Sequence, residues 1–516
     1  MNFPKKNFSN ILKVSLFATG CAGIVAEFVL STLATYLTGN AVFQWTLVMS
    51  FMLFAMGVGS RLSRIFYSNL IDIFILVEFL LSILCASSAA LAYGLASFIT
   101  NINLFIYFLG FVIGCLIGME IPLVTRLNEE YEELRINISG VMEKDYYGSL
   151  LGGLLFAFVA LPCFGLTYTP IILGSINFIV AAIILWKFIC LVQNRKLAIA
   201  SFFICLSFLI ILTAFSSPII RFGEQSRYKD KIIFAKQTKY QKIVMTRWRK
   251  NHWLYLNSQV QFSSYDEERY HEPLVHPVMN LSINHSNVLI LGGGDGLALR
   301  EILKYPTVKN ITLVDLDPAI TQLAQKHPVL LKINKSSMRN PRVQIINTDA
   351  NDFLKKNSDL FGVIIVDLPD PDTIDMMHVY SIGFYKLIEK HLIKGGAFVT
   401  QASSPFFTRK SFLCIMKTIQ YSGFSVLPYH NNVPTMGEWG WILGIRKQEI
   451  SPEKLKQVAL MVDFSNIQTR FINKDAMLSM THFGKGTFED IKKIQINKRL
   501  DPVLHYYYRS GSWGLY

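Results

Sequence analysis

Five aspartates recur at intervals that could build a single acidic cleft: Asp295, Asp315, Asp349, Asp367 and Asp370. Short apolar runs lead to them: VLIL ahead of Asp295, ITLV ahead of Asp315, VQII ahead of Asp349 and VIIV ahead of Asp367. If these runs are parallel strands, the acids stand at the carboxyl ends, where doubly wound sheets bind ligands. One such acid is ordinary helix capping or ribose binding, but a set of them makes a strongly negative pocket suited to a ligand with several positive charges. Asp367 ends the most apolar run, just before Leu368-Pro369-Asp370-Pro371, and two prolines stiffen that loop. Asp370 can also be read as a turn residue ahead of proline. Asp349 with Ala350 can read an adenine amino group, or can cap a helix over 350–356. His271, in the polar and aromatic stretch YDEERYHEP, can orient a substrate amine, although a lone histidine is more often structural.

The stretch that must position these groups runs from Val288 to Asp317. It reads as strand, glycine-rich turn (Gly292, Gly293, Gly294, Asp295, Gly296), helix from Leu297, then a second strand closed by Asp315. Gly292 and Gly294 let the backbone approach a ligand, and an acid about twenty residues past the turn suits ribose hydroxyls. The Asp295 carboxylate would repel a pyrophosphate, which disfavours NAD and FAD. A cationic S-adenosyl sulfonium compound fits better.

Around that stretch, strands alternate with helices from 288 to about 445, as in a parallel-sheet α/β domain. Residues 231–262 carry three β-branched and aromatic runs that suggest a small antiparallel sheet. The first half is different. The chain has 516 residues, 51% of them hydrophobic, and apolar runs near 11–37, 41–60, 71–98, 102–124, 147–165, 168–190 and 197–215 are each long enough to span a bilayer. The expected organisation is therefore multi-domain: a transmembrane helical domain of about seven spans (1–220), a β-hairpin subdomain (221–280), a Rossmann-like, methyltransferase-type nucleoside-binding domain (281–450) and a C-terminal extension (451–516).

The formal net charge is +14, with basic residues scattered through membrane-flanking loops, so anionic lipid is a more economical partner than nucleic acid. Arg61, Arg64, Arg126, Arg135, Lys187, Arg195 and Lys196 fall in alternate loops, a pattern that puts the N-terminus in the cytoplasm. Seven spans would then place residue 221 onward outside. Glu27, Glu78 and Glu120 lie within spans, where they suggest a polar path, an interhelical hydrogen bond or a position near the interface. Six of the seven cysteines fall in apolar stretches, and no Cys/His cluster suggests a metal.

With these residues assembled, residues 235 to 445 resemble the spermidine synthase family of polyamine aminopropyltransferases. The matching segments are YQKI, LNSQVQ, DEERYHEPLVHP, LILGGGDG, LVDLDP, TDANDF, VDLPDP and VPTMGEWGWIL. The N-terminal half, notably AEFVLSTLATYLTGNAVFQWTLVMSFMLFAMGVGS and DYYGSLLGG, resembles that family's membrane-fused branch. The resemblance implies transfer of an aminopropyl group from decarboxylated S-adenosylmethionine, as co-substrate, to putrescine or a similar diamine, giving spermidine and methylthioadenosine. It implies that Gln241, Asp315, Asp349 and Ala350 contact the nucleoside, that His271, Asp295 and Asp370 hold amines, and that Asp367 is the general base. No permanently bound cofactor or metal is expected. The expected setting is the cell membrane, with the catalytic domain facing the cytoplasm where the donor is made, and homodimerisation left open. Asp315 stands where the family usually has Glu, Leu297 follows GGGDG in place of a common Gly, and Met436 falls where a tyrosine usually helps hold the amine. The competing readings are a methyltransferase using S-adenosylmethionine itself, which does not need the cluster Asp295, Asp367 and Asp370, and a polyamine transporter or sensor whose soluble domain only binds.

Overall fold

The computed structural model describes residues 5–38, 41–99, 101–129 and 131–512. The chain divides into two compact units, Met1–Ile232 and Ile233–Tyr516.

The first unit is helical: α1 (Lys5–Thr38), α2 (Ala41–Leu62), α3 (Leu70–Leu95), α4 (Ile102–Asn128), α5 (Leu134–Leu155), α6 (Gly165–Lys187) and α7 (Arg195–Ser226). By length and composition, six helical stretches among the described residues could cross a membrane, where the sequence leads to about seven. The difference lies in the fifth, Leu134–Lys187, a stretch of 54 residues that contains both the expected fifth and sixth spans. A straight helix of that length would reach about 80 Å, far beyond an apolar core of about 30 Å. It is not straight. The stretch passes through a π-helical segment, Phe156–Phe164, and breaks at Gly165, whose φ is +60°. The Thr169 hydroxyl donates to the Ala160 carbonyl at 3.0 Å, although nine residues of continuous helix would separate them by roughly 13 Å. The chain therefore turns back on itself at Gly165. Close approach between helices uses small residues, as is common in membranes: a Cβ on Gly148 of α5 would lie 2.1 Å from the Phe17 carbonyl oxygen of α1. Glu78, Glu120 and Glu27 are buried among the helices, at 0%, 2% and 7% exposure.

The second unit opens with a four-stranded sheet in the order β1 (Lys231–Gln237), β2 (Lys242–Trp248), β3 (Asn251–Leu256) and β4 (Gln259–Ser263). Helix α8 (Glu268–Leu281) leads into the main sheet, whose strands are β5 (Asn287–Gly292), β6 (Asn310–Asp315), β7 (Val343–Asn347), β8 (Phe361–Asp367), β9 (Leu392–Gln401), β10 (Phe424–Val433) and β11 (Gly437–Arg446). Their spatial order is β10-β11-β9-β8-β5-β6-β7. The strands from β5 to β9 pair in parallel, and β11 and β10 pair antiparallel at one edge. Strand residues alternate between two apolar clusters: Val288, Ile290, Val363 and Ile365 belong to one, Leu289, Leu291, Ile364 and Val366 to the other. That period of two, apolar on both faces, is why the strands read as continuous apolar runs. The order reverses at β5, flanked by β6 on one side and β8 on the other, which opens a crevice at their carboxyl ends.

Residues beyond 450 fold onto this unit. Leu455, Ile472 and Met477 join one apolar cluster and Leu504 the other. Glu272 of α8 accepts the backbone amides of Arg470, Phe471 and Ile472 at 2.7, 2.7 and 2.8 Å, which straps the extension to the helix that carries Tyr270 and His271.

Candidate active site

The glycine turn sets the site. Gly292 ends β5 opposite Asp367 of β8, and a Cβ there would meet the Asp367 carbonyl oxygen at 2.0 Å. Its φ of +87° also favours glycine. At Gly294 a Cβ would fall 2.5 Å from the Asp315 carboxylate. The Gly293 amide donates to the Asp367 carbonyl at 3.2 Å, and the Gly294 amide donates to Asp315 Oδ2 at 3.0 Å. Three consecutive residues thus fix the places of both acids.

Asp315 also accepts the Asp317 amide on Oδ1 at 2.9 Å. Burial pushes its carboxyl up to about 7, against the lowering effect of the two amides. Gln241, on the turn into β2, directs its amide to Asp317 Oδ2 at 3.2 Å, next to Asp315 in sequence. Asp349 caps the helix Ala350–Lys356 by accepting the Asp352 amide at 2.9 Å, so the capping alternative is realised. Its other oxygen lies 3.4 Å from His378 Nε2. Ala350 is buried behind it.

Asp367 receives the Tyr270 hydroxyl on Oδ1 at 2.8 Å. Burial pushes its carboxyl up to about 6, and Asp295 raises it further while His271 and the Tyr270 hydrogen bond lower it. Tyr270 is itself held well above the ordinary phenol range by burial and by Asp367, so it remains a hydroxyl donor. Asp295 accepts the Leu297 amide on Oδ1 at 2.8 Å, and burial raises its carboxyl too. Asp370 is buried at 8% exposure and accepts Gln401 Nε2 on Oδ1 at 3.2 Å and the Tyr508 hydroxyl on Oδ2 at 2.9 Å. Burial pushes Asp370 up to about 7.

His271 is 1% exposed, with Nδ1 2.8 Å from the Glu267 carbonyl oxygen and 3.2 Å from its carboxylate. Burial alone would lower its pKa, but Glu267 outweighs that and brings it to about 9. Arg300 grips the same Glu267 carboxylate with both terminal nitrogens, at 2.7 and 2.8 Å. Asp295 and Asp367 also act to raise it, so the three groups are electrostatically linked.

Several contributors were not singled out from the sequence. Tyr270 lies in the stretch around His271 and is recognisable only once α8 is placed against β8. Gln401 ends β9, one strand beyond Asp367, where strand-end logic applied to an amide would have found it. Tyr508 is 138 residues from Asp370, and nothing in its local sequence marks it. Among the described residues no group of three or more His, Cys, Asp or Glu side chains is arranged to hold a metal ion.

Residues 267–457 match the model of the spermine/spermidine synthase domain. A polyamine aminopropyltransferase of Aquifex aeolicus is 42% identical over 97% of this chain and 98% of that protein. One of Leptospira interrogans is 38% identical over 89% and 93%. A crystal structure of spermidine synthase in complex with the transition state analogue AdoDATO is 24% identical, with a TM-score of 0.45, over 51% of this chain and 89% of that one.

Proposed function

The chain belongs to the polyamine aminopropyltransferase family, and from that premise we propose that it moves the aminopropyl group of decarboxylated S-adenosylmethionine to putrescine or a similar diamine. The products are spermidine, for putrescine, and methylthioadenosine. The observation that carries this reading is Asp367, a half-buried carboxylate with one oxygen held by Tyr270 and the other left beside Gly293 at the crevice.

The diamine enters with both nitrogens protonated. One must lose its proton before it can attack, and Asp367 Oδ2 takes that proton. The freed lone pair forms a bond to the terminal carbon of the aminopropyl group. The carbon–sulfur bond breaks, and its electron pair returns to sulfur, which leaves as a neutral thioether. Nitrogen, carbon and sulfur must lie in line, so most of the remaining catalysis is positioning. Asp315 holds the ribose hydroxyls, with Gln241, Asp349 and Ala350 around the nucleoside and Gly292 and Gly294 letting it approach. Asp295 and Asp370 hold the ammonium ends. His271, which Glu267 favours in its protonated form, offsets the negative charge of Asp295 and Asp367, a role set beside the amine-holding one that the resemblance implies.

The long apolar helices support a membrane setting, and the origin of the donor supports a second unit on the cytoplasmic side, which requires either that one apolar run does not cross or that the N-terminus lies outside. The test is turnover by the detergent-solubilised full-length chain with decarboxylated S-adenosylmethionine and a panel of diamines, read as methylthioadenosine and aminopropylated product by mass spectrometry. Methyl transfer from S-adenosylmethionine, with no use of the decarboxylated donor, would overturn the reading.

A further inference from the structure

Asp370 is held from an unexpected direction. Of the three successive tyrosines Tyr506, Tyr507 and Tyr508, the first is exposed at 66%, and the second accepts the Gln495 amide on its hydroxyl at 3.3 Å. The third reaches back 138 residues to donate to Asp370 Oδ2 at 2.9 Å. The segment that carries it is anchored on both sides. Ahead of it, Asn497 Nδ2 donates to the carbonyls of Met377 and Tyr380 at 3.0 and 3.2 Å. Behind it, the Ser512 amide donates to the Phe407 carbonyl at 2.8 Å. Leu504, within the short helix Val503–Arg509, is fully buried. Such anchoring makes the Tyr508–Asp370 contact a built feature and not a chance meeting of a loose tail.

Each Asp370 oxygen then has one donor, Gln401 on one side and Tyr508 on the other. A carboxylate gripped this way cannot rotate, and its remaining lone pairs point in a fixed direction. Asp372 lies beyond it, with Oδ2 taken by Gln259 at 3.0 Å. We propose that Tyr508 is a positioning residue for the amine acceptor: by fixing the Asp370 carboxylate it sets where the acceptor's far ammonium group binds, and so the C-terminal segment helps select the diamine. This rests on the aminopropyl-transfer reading above. Tyr508 remains a donor throughout the working range, because burial and the Asp370 charge both resist loss of its proton.

The experiment uses the full-length protein with Tyr508→Phe, which keeps the ring and removes the one hydroxyl. Hydrogen bonds to charged groups are worth enough to predict a rise of roughly ten-fold or more in KM for the diamine. The kcat at saturating diamine should stay within about two-fold, and methylthioadenosine affinity should not change. The preference among diamines of different length should flatten. If Tyr508 works through Asp370, adding Tyr508→Phe to Asp370→Asn should change KM no further. An unchanged diamine KM in Tyr508→Phe overturns the proposal. So does an equal loss of methylthioadenosine affinity, which would make the tyrosine a general prop of the fold. Wild-type turnover separates this from the reaction itself: a wild type inactive with every diamine removes both, whereas an active wild type and an indifferent Tyr508→Phe remove this proposal alone.

Discussion

Both units hold carboxyl groups away from water, and Glu78 of the first is treated unlike the aspartates of the second. In the second unit Asp315 is held by two backbone amides, Asp367 by a tyrosine hydroxyl, and Asp370 by an amide and a tyrosine. In the helical unit Glu78 is fully buried and, among the described residues, neither of its oxygens has a hydrogen-bond partner, with Glu120 within electrostatic reach. Depth alone therefore does not mark a catalytic acid. What distinguishes Asp367, the proposed base, is a half-buried place together with a donor that holds one oxygen and leaves the other beside Gly293. An unpartnered buried acid costs stability, and in the crevice a cationic substrate can offset that cost.

Breaking the aspartate half of this contrast should have the larger effects. Asp367→Asn keeps the shape and removes the base, so turnover at saturating substrates should fall about 10²- to 10⁴-fold while methylthioadenosine still binds. The wild-type rate should rise with pH and level off above about 6, where Asp367 has lost its proton, and the substitution should abolish that limb. Near-normal turnover in Asp367→Asn would pass the role to Asp370. Asp315→Ala should act on the donor first, raising its KM roughly 10- to 100-fold for the loss of a charged acceptor. Single-turnover rates at high donor concentration should recover only in part, and a rate defect with unchanged donor affinity would contradict the ribose assignment. Glu78→Gln should have the smallest effect. Turnover should stay within about two-fold and thermal stability should hold or rise, since the change removes an ionisable group that has no partner. A large loss of activity would tie the helical unit to the chemistry.

Much of the crevice was legible because strand-end acids follow from periodicity. Once VLIL, ITLV and VIIV are parallel strands, Asp295, Asp315 and Asp367 must share one edge of the sheet. Pairing across the switch point, Gly292 beside Asp367, needed only that topology. Local sequence could not show side chains delivered from outside the βα repeats. Tyr270 depends on how α8 lies over the sheet, and Tyr508 on a segment that returns to the site after the sheet is complete. His271 was legible as a position, but the raising of its pKa was not, because that comes from Glu267 beside it, with Asp295 and Asp367. In the helical unit, hydropathy found the apolar runs. The break between the runs 147–165 and 168–190 was legible and falls at Gly165, but the π-helical form of Phe156–Phe164 ahead of it was not, because its nine residues are as apolar as the helix they follow.

Two aspartates of the crevice, Asp315 and Asp370, also make the free enzyme a store of protons near neutral pH, and Asp367 adds to it below about 6. Asp315 and Asp370 titrate at about 7 and Asp367 at about 6, each raised from the ordinary range by burial. Because these folded values lie above the unfolded ones, the protonated acids favour the fold fully below about pH 4. That contribution fades as the pH rises through 6 to 7. On the proposed site assignment, ribose hydroxyls and ammonium groups prefer the ionised carboxylates, so substrate binding should release protons to the medium around neutral pH. The heat of binding will then contain the buffer's own heat of protonation. Titrations of the same ligand in phosphate and in Tris should give different apparent enthalpies near pH 7 and converge above about pH 8, where the crevice has already lost its protons.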